Sequence, residues 1–307
     1  MKFFIQVPAV VPALGLLVLL AASSLGAPPP KVLRKARSTE PVALALGLTG
    51  EVNDDRILDQ LDEGAERLMS SGQTVKMADL IKQLSRRSCV IELPVPASRK
   101  YSAAEIAKVM RPGVVIIGDL SKCKKCPRWH VGASTGFMVT TGGVCATCYH
   151  VVNIPESATL IAMTGDGRIF PVREILAANP HTDVALLRLE GTGFMPLALD
   201  TEAPVGSMVR ILSHPDDHFF TLSEGMVSRY VTLPLEKAPG EVTFMAVTAD
   251  FGAGSSGAPV FNERGGVVGL VNNTQSLYYD PKKGRDLQMV FKHCLPSQYI
   301  QQLIRRK

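Results

Sequence analysis

The sequence of 307 residues lacks a strong charge of either sign. Lysine and arginine outnumber aspartate and glutamate by only 33 to 28, which gives a formal net charge of +5. The basic residues are scattered, except at residues 31–37 and at the last three positions, 305–307. Short basic runs of this kind are usually solvated, so nucleic-acid binding is not expected.

Beyond its N-terminus, the sequence also lacks an apolar run long enough to cross a bilayer. The N-terminal run, residues 9–22, is short for a span and contains Pro12; it follows Lys2 and precedes small residues up to Ala27. This order is typical of a secretory signal peptide over residues 1–27, and an uncleaved anchor is the alternative. No cysteine lies near the cleavage point, so no lipoprotein anchor is expected. The sequence thus predicts a secreted or periplasmic protein without a stable membrane anchor.

Apolar residues make up 46% of the chain, which is enough for a sizeable core. Residues 28–40 are rich in proline, lysine and arginine and indicate a linker. Apolar residues at three-to-four spacing predict helices over residues 50–87. We therefore expect residues 28–95 to form a linker and a helical N-terminal extension, with a pro-segment as one candidate role. Ser102 and Glu105 have capping-box spacing, which predicts a further helix that ends near Met110.

From residue 114 onward, short apolar runs alternate with glycine, aspartate, asparagine and proline. The runs are Val114–Ile117, Gly136–Val139, Thr159–Met163, Val184–Leu189, Met208–Leu212, Met226–Tyr230, Val242–Val247, Ala258–Phe261 and Val267–Val271. Roughly a dozen short strands without helical periodicity between them predict an antiparallel barrel or sandwich. We place this mainly β domain at residues 96–307, and residues 298–304 predict a closing helix.

A glycine-rich turn, Gly-Ala-Gly-Ser-Ser-Gly-Ala-Pro at residues 252–259, carries two adjacent serines. Glycines at positions such as 254 and 257 adopt backbone angles that other residues resist. Such a turn can point consecutive N–H groups at one spot, as an oxyanion hole requires. Serine is a poor nucleophile at neutral pH, so it also needs a base and a group that orients the base. On its own, this turn fits an ordinary hairpin loop equally well.

A base and an orienting acid are available elsewhere in the sequence. His150 closes a strand–turn–strand segment and lies beside a loop, where functional residues are frequent. Asp183 directly precedes the apolar run 184–189, where a carboxylate needs a hydrogen-bond partner. A histidine ring N–H would satisfy it. The alternatives are a structural histidine and an aspartate that caps the start of a strand.

Three blocks of sequence resemble the signature blocks of trypsin-like serine peptidases with the chymotrypsin-like fold, closest to the HtrA-type branch. The blocks are Gly136-Phe-Met-Val with His150-Val-Val, Asp183-Val-Ala-Leu-Leu, and Gly254-Ser-Ser-Gly-Ala-Pro. Their order and spacing are specific, and the resemblance covers about residues 110–300. It implies two six-stranded antiparallel β-barrels with the site in the cleft between them.

The resemblance also implies a role for each residue of the site. His150 would be the general base, Asp183 its orienting acid and Ser256 the nucleophile. The G-x-S-G pattern selects Ser256 over Ser255. The backbone N–H groups of Gly254 and Ser256 would form the oxyanion hole. The function implied is a secreted serine endopeptidase that hydrolyses a protein or peptide substrate through an acyl-enzyme, with no cofactor or metal.

The sequence departs from the family pattern at several points. Ser255 replaces the aspartate that trypsin pairs with its new N-terminus, and no Ile/Val-Val-Gly-Gly start is present, so that activation switch is not expected. About 50 residues follow Ser256, so no PDZ domain is expected. Asp250, six residues before Ser256, has the offset of a residue that selects arginine or lysine substrates in trypsin. A solvent-facing loop aspartate is the alternative for Asp250.

The cysteines offer competing interpretations. Four of them have the spacing C-x2-C-x18-C-x2-C, namely Cys123, Cys126, Cys145 and Cys148. This spacing fits a four-thiolate zinc site, and it also fits disulfides in an exported protein. Two of the four lie on one strand, on opposite faces, so disulfides or free thiols are favoured over zinc. Cys89 and Cys294 flank the domain and are a candidate pair.

Three other functions therefore stay open. The chain could be a zinc- or redox-active cysteine protein. It could also be a non-catalytic binding module on a protease fold, or an esterase that uses the same serine.

Overall fold

The computed structural model describes residues 51–123, 126–234 and 240–305. The predicted signal peptide, residues 1–27, and the predicted linker at 28–40 lie outside the described residues. The described residues contain five α-helices: α1 Asp54–Ser70, α2 Met77–Gln83, α3 Ala103–Met110, α4 Tyr149–Val152 and α5 Gln298–Gln301. They also contain fourteen strands: β1 Cys89–Val90, β2 Val114–Lys122, β3 Trp129–Met138, β4 Val144–Cys148, β5 Thr159–Thr164, β6 Ile169–Asn179, β7 Val184–Leu189, β8 Met208–Ser213, β9 Thr221–Pro234, β10 Glu241–Val247, β11 Pro259–Phe261, β12 Val267–Asp280, β13 Arg285–Pro296 and β14 Ile304–Arg305.

Twelve of these strands form two closed six-stranded barrels. The first barrel has the order β2-β3-β4-β7-β6-β5, and the second has the order β10-β13-β12-β11-β8-β9. Every neighbouring pair within each barrel is antiparallel. The predicted mainly β fold with two six-stranded barrels is therefore confirmed.

Buried β-branched residues explain why the runs found in the sequence form strands. β2 begins with Val114–Ile117, four β-branched residues that are all buried. Such side chains pack well on a pleated surface and lose little freedom there. A separate cluster that includes Val209, Ile211 and Val260 fills the second barrel. Each barrel therefore has its own apolar interior, and the loops between the strands are left to form the site.

Helices α1 and α2 confirm the predicted helical N-terminal extension. Asn53 caps α1, and Ile57 and Leu61 on its inner face are completely buried in the core that the first barrel uses. Gly64 allows close approach, because a Cβ there would lie 2.2 Å from Cδ1 of Ile169 in β6. The pro-segment role stays a prediction. A segment embedded in this way cannot leave without exposing the apolar residues that it covers.

Helix α3 is the helix that the capping-box spacing predicts. The Ser102 hydroxyl accepts from the Glu105 N–H at 3.2 Å, and the Glu105 carboxylate accepts from the Ser102 N–H at 2.8 Å. The helix ends at Met110, and a 3₁₀ turn over Arg111–Gly113 follows it. The structure thus confirms both ends of this element.

The C-terminal segment differs from the prediction of one helix over residues 298–304. Helix α5 ends at Gln301, and β14 then pairs in parallel with β1, with Ile304 opposite Cys89. Backbone pairing with a distant strand takes the place of the last helical turn. Within the part of the chain that the structure describes, no helix has the length and apolar character needed to cross a membrane.

Candidate active site

His150 and Asp183 meet at the edge of the first barrel. His150 lies in the single-turn helix α4, directly after β4, whereas the sequence placed it at the end of the strand itself. The Asp183 carboxylate holds this residue at two points. One oxygen lies 2.7 Å from Nδ1 of the ring, and the other accepts the His150 backbone N–H at 2.9 Å. The pairing fixes the orientation of the ring and directs Nε2 away from the carboxylate.

Asp183 reaches this position through an unusual backbone conformation. Its φ is 49°, in the left-handed region that residues other than glycine rarely adopt. Its own carbonyl accepts the Tyr149 N–H at 3.0 Å, so main chain and side chain both connect to the start of α4. Asparagine and aspartate tolerate this conformation better than other residues with a Cβ, which suits an aspartate here.

Asn272 is a third partner of the Asp183 carboxylate, and no motif in the sequence predicts it. Its side-chain Nδ2 donates to Oδ2 of Asp183 at 2.5 Å. Asn272 lies in β12 of the second barrel, so this bond joins the acid of one barrel to a strand of the other. The available sequence signal is the pair of asparagines, Asn272 and Asn273, that directly follows the apolar run 267–271.

The two adjacent serines have different environments. Ser255 is completely buried, and its hydroxyl donates to the hydroxyl of Ser213 at 3.0 Å. Ser256 is partly exposed, and its hydroxyl donates to the backbone carbonyl of Asn272 at 3.4 Å. Among the described residues, no hydrogen bond joins the Ser256 hydroxyl to the ring of His150. The geometry leaves Ser256 accessible and Ser255 enclosed.

Glycine is required at two positions of the serine turn. Gly254 and Gly257 both have a φ of +85°. A Cβ at Gly254 would lie 2.4 Å from the carbonyl oxygen of His214, and one at Gly257 would lie 2.3 Å from that of Thr135. The turn is therefore packed directly against backbone, where no side chain fits.

The carbonyls of this turn are held so that two N–H groups are left unbonded. The Ala253 carbonyl accepts from Asp216 N at 2.7 Å, and the Ser255 carbonyl accepts from Ala258 N at 2.9 Å. In a trans peptide the N–H points opposite to the carbonyl, so the N–H groups of Gly254 and Ser256 point away from these partners. Within the described residues, neither N–H donates to another group of the chain.

Thr135, a buried residue of β3, connects the first barrel to the serine turn. Its hydroxyl donates to the Gly254 carbonyl at 2.9 Å and accepts the His214 N–H at 3.3 Å. Its own N–H donates to the Ser256 carbonyl at 3.1 Å. Thr135 is not predicted from the sequence, because a threonine in a strand gives no signal of such contacts.

Cys148 lies close to His150 and Asp183, but its thiol is in a poor state to act as a nucleophile or a metal ligand. Its thiol is buried and donates to the Val271 carbonyl at 3.2 Å. Burial, together with the nearby Asp183 carboxylate, raises the pKa of Cys148 well above its usual value. A neutral thiol is a poor nucleophile and a poor metal ligand.

The cysteines are grouped differently from the four-thiolate site that the spacing suggested. Cys145 and Cys148 are both buried in β4. Among the described residues, Cys123 and Cys126 cluster instead with His130. Cys89 and Cys294, the candidate disulfide pair, are both free thiols in the structure.

Asp250, the residue predicted to select basic substrates, lies at the surface. Its side chain is 90% exposed, and one carboxylate oxygen lies 3.3 Å from Nζ of Lys292. The same ammonium donates to the Phe251 carbonyl at 2.6 Å. The charge of Asp250 is therefore partly offset by a neighbouring cation.

His214, next to Thr135, is a buried histidine that stays neutral. Its Nδ1 accepts the Phe220 N–H at 3.0 Å, and the rings of Phe219 and Phe220 pack against it. Burial lowers the pKa of His214 to about 3, and the nearby Arg111 guanidinium adds to this effect. The folded chain therefore resists a proton that the unfolded chain accepts at about pH 6.5.

This difference predicts a loss of stability in acid. As the pH falls from about 6.5 toward 3, His214 should lower the free energy of unfolding by up to about 1.4 kcal/mol per pH unit. We expect His214→Asn, which keeps an acceptor but does not titrate, to flatten this dependence. The difference in the free energy of unfolding by urea between pH 7.5 and pH 5 measures this dependence.

His218 is a control, because its protonation should raise the free energy of unfolding in acid, whereas that of His214 lowers it. Hydrogen bonds to the carbonyls of Asp216 and Pro215 raise its pKa in the folded state, so protonated His218 favours folding. His218→Asn should make the loss in acid steeper. Equal pH dependence in wild type and His214→Asn would show that His214 does not control acid stability.

Comparison with known proteins agrees with this architecture. Residues 134–270 match the family described as the trypsin-like peptidase domain. A protein of Ectopseudomonas mendocina, named as a DegP-like periplasmic serine endoprotease, is 30% identical over 139 residues, which are 44% of this chain and 28% of that protein. A Synechocystis protein, named as the serine protease HhoA, is 27% identical over 148 residues, or 45% of this chain and 36% of that protein.

The likeness extends to a protein with a different name. The anti-sigma-I factor RsgI9 of Acetivibrio thermocellus is 29% identical over 166 residues, which are 53% of this chain and 22% of that protein. The matched part of the chain thus spans between 22% and 36% of the length of these three curated relatives. Residues 134–270 therefore resemble a trypsin-like peptidase domain, and part of the chain is distantly similar to serine proteases named as DegP-like and HhoA.

Proposed function

We propose that the chain is a serine endopeptidase that acts outside the cytoplasm on protein or peptide substrates. The observation that carries the proposal is the two-point contact of the Asp183 carboxylate with His150, opposite a turn that presents Ser256. The matched peptidase domain and the names of the relatives support it. The signal-peptide pattern at residues 1–27 and the relative named as periplasmic support the location.

In the proposed mechanism, Ser256 Oγ attacks the carbonyl carbon of the substrate peptide. Nε2 of His150 takes the serine proton and later gives it to the leaving amine, while Asp183 stabilises the charged ring. The N–H groups of Gly254 and Ser256 donate to the oxyanion of the tetrahedral intermediate. Water then attacks the acyl-enzyme while Nε2 of His150 takes its proton. The ring returns this proton to Ser256 Oγ as the acid product leaves.

One rearrangement is needed before this reaction. The Ser256 hydroxyl donates to the Asn272 carbonyl and must turn toward Nε2 of His150. The present bond is long, 3.4 Å, and therefore weak. Rotation about the Cα–Cβ bond of Ser256 would release this contact, and catalytic hydrogen bonds commonly tighten only when substrate is bound.

Labelling with a fluorophosphonate probe tests the activated serine. We expect covalent labelling of the exported, purified chain, with complete loss in Ser256→Ala, because Ser256 is the partly exposed serine of the glycine-rich turn and the proposed nucleophile. The buried Ser255 is the matched control, so Ser255→Ala should retain labelling. Asp183→Asn should slow the reaction by about four orders of magnitude, because the ring loses its orienting charge.

Three results would contradict this proposal. One is the absence of labelling in a folded wild-type chain, which would favour a non-catalytic binding module. Another is equal labelling in Ser256→Ala. The third is labelling without hydrolysis of any peptide in a library, together with hydrolysis of simple esters, which would indicate an esterase.

We further propose that Asp250 gives only a weak preference for arginine or lysine before the cleaved bond. Lys292 at 3.3 Å and the 90% exposure of the carboxylate both reduce its attraction for a substrate cation. We expect Asp250→Ala to lower the ratio of kcat/KM for arginine over leucine peptides by roughly two- to fivefold, the scale of a weak ion pair. Peptide-library profiling measures this ratio.

The salt bridge supplies a matched variant. Lys292→Met removes the competing ammonium and should increase the preference for basic residues, provided that Asp250 faces the substrate. If neither variant changes this ratio of kcat/KM, Asp250 is not part of the substrate-binding site.

A further inference from the structure

A cluster of metal-binding side chains lies at the turn between β2 and β3, and the proposed peptidase chemistry does not use it. Cys123 follows β2, Cys126 is in the turn, and His130 is the second residue of β3. The two sulfur atoms and a ring nitrogen all lie within 4.8 Å of one another. The Sγ of Cys126 and Nε2 of His130 are 3.3 Å apart.

These separations can be compared with those in a zinc site. Zinc–sulfur bonds of about 2.3 Å and zinc–nitrogen bonds of about 2.0 Å at a tetrahedral angle place sulfur and nitrogen about 3.6 Å apart. Two sulfur ligands are then about 3.8 Å apart. The observed contact of 3.3 Å and the limit of 4.8 Å bracket these values. The cluster therefore needs only small shifts to surround one ion.

Asp62 of helix α1 orients the histidine for this role. One carboxylate oxygen lies 3.1 Å from Nδ1 of His130, and the other accepts the Val131 N–H at 2.9 Å. When Nδ1–H donates to Asp62, Nε2 is left with its lone pair directed at the cysteines. A carboxylate behind a ligating histidine is the usual arrangement around protein-bound zinc.

We propose that Cys123, Cys126 and His130 bind one zinc ion, with water as the fourth ligand. Thiolate and imidazole ligands together suit zinc better than the harder cations magnesium and calcium. Binding releases the two thiol protons and leaves a site with no net charge from Zn²⁺ and two thiolates. The His130 side chain is 44% exposed, so solvent reaches the fourth position.

The site would fasten the N-terminal extension to the first barrel. Asp62 belongs to α1, whereas two of the ligands lie between β2 and β3 and the third lies in β3. A bound metal would hold His130 in place, and His130 in turn contacts Asp62 of α1. Metal binding would therefore stabilise the contact between α1 and the first barrel. We expect the melting temperature of the chain to rise when zinc is added and to fall when a chelator removes it.

Two other chemistries compete for the same atoms. A disulfide between Cys123 and Cys126 would remove both thiolates, and a Cys126–His130 pair could act as a nucleophile without metal. The convergence of a second sulfur on the pair, together with the oriented lone pair of Nε2, favours the metal. The experiment therefore uses reduced protein, in which a disulfide cannot mask the site.

Cobalt(II) titration of the reduced full-length chain under argon tests the proposal. We expect one equivalent to give the thiolate charge-transfer and intense visible bands of tetrahedral cobalt, and zinc to displace it. Cys126→Ser and His130→Gln should each abolish these bands. Asp62→Asn should weaken binding by roughly 10- to 100-fold. Cys89→Ser, at a cysteine outside the cluster, and Ser256→Ala should bind as the wild type does.

A second measurement does not depend on the folding of a variant. Zinc should slow alkylation of Cys123 and Cys126 by iodoacetamide in the wild-type chain, as read by peptide mass mapping. The proposal fails if reduced wild-type protein gives no cobalt bands, if Cys126→Ser keeps them, or if zinc leaves alkylation unchanged. None of these results depends on whether Ser256 is catalytic.

Discussion

The hydrogen bonds of Thr135 hold the candidate site together. They run from a buried strand of the first barrel to the carbonyls of Gly254 and Ser256, which flank the two serines. A hydrogen bond of this kind contributes about 0.5–1.5 kcal/mol, so the two contacts together favour one shape of the turn. The same two peptide units direct the N–H groups of Ser255 and Gly257 to the carbonyls of Gly252 and Val271, so the turn is held from both sides. The position of Ser256 relative to His150 thus depends on contact between the barrels.

The Asp183 carboxylate is the second connection between the barrels. It contacts the His150 ring and backbone on one side and the amide of Asn272 on the other. Asn272 also accepts from Ser256 through its carbonyl, so acid, base and serine share a short chain of contacts. The proposed zinc cluster and the buried face of α1 both stabilise the first barrel, which carries His150. Stability and site geometry are therefore coupled in this chain.

Much of the fold could be predicted because its signals are local. Apolar runs such as 114–117 indicated strands, and Ser102 with Glu105 indicated a helix start. β13 was missed because its first half is exposed and alternates polar residues with Leu287 and Met289, so it contains no continuous apolar run. The end of α5 was wrong because β14 pairs with a strand 215 positions earlier. Thr135 and Asn272 were missed because their partners lie 119 and 89 positions away. Contacts between residues so far apart in the chain leave no local pattern in the sequence.

The most direct test of the central claim is a crystal structure of the chain after reaction with a peptidyl phosphonate. The account predicts a covalent bond to Ser256 Oγ, with a phosphonyl oxygen about 3 Å from the N–H groups of both Gly254 and Ser256. It also predicts that Nε2 of His150 lies within hydrogen-bonding distance of the adduct. An adduct on Ser255, or an oxygen that faces away from both N–H groups, would contradict the account.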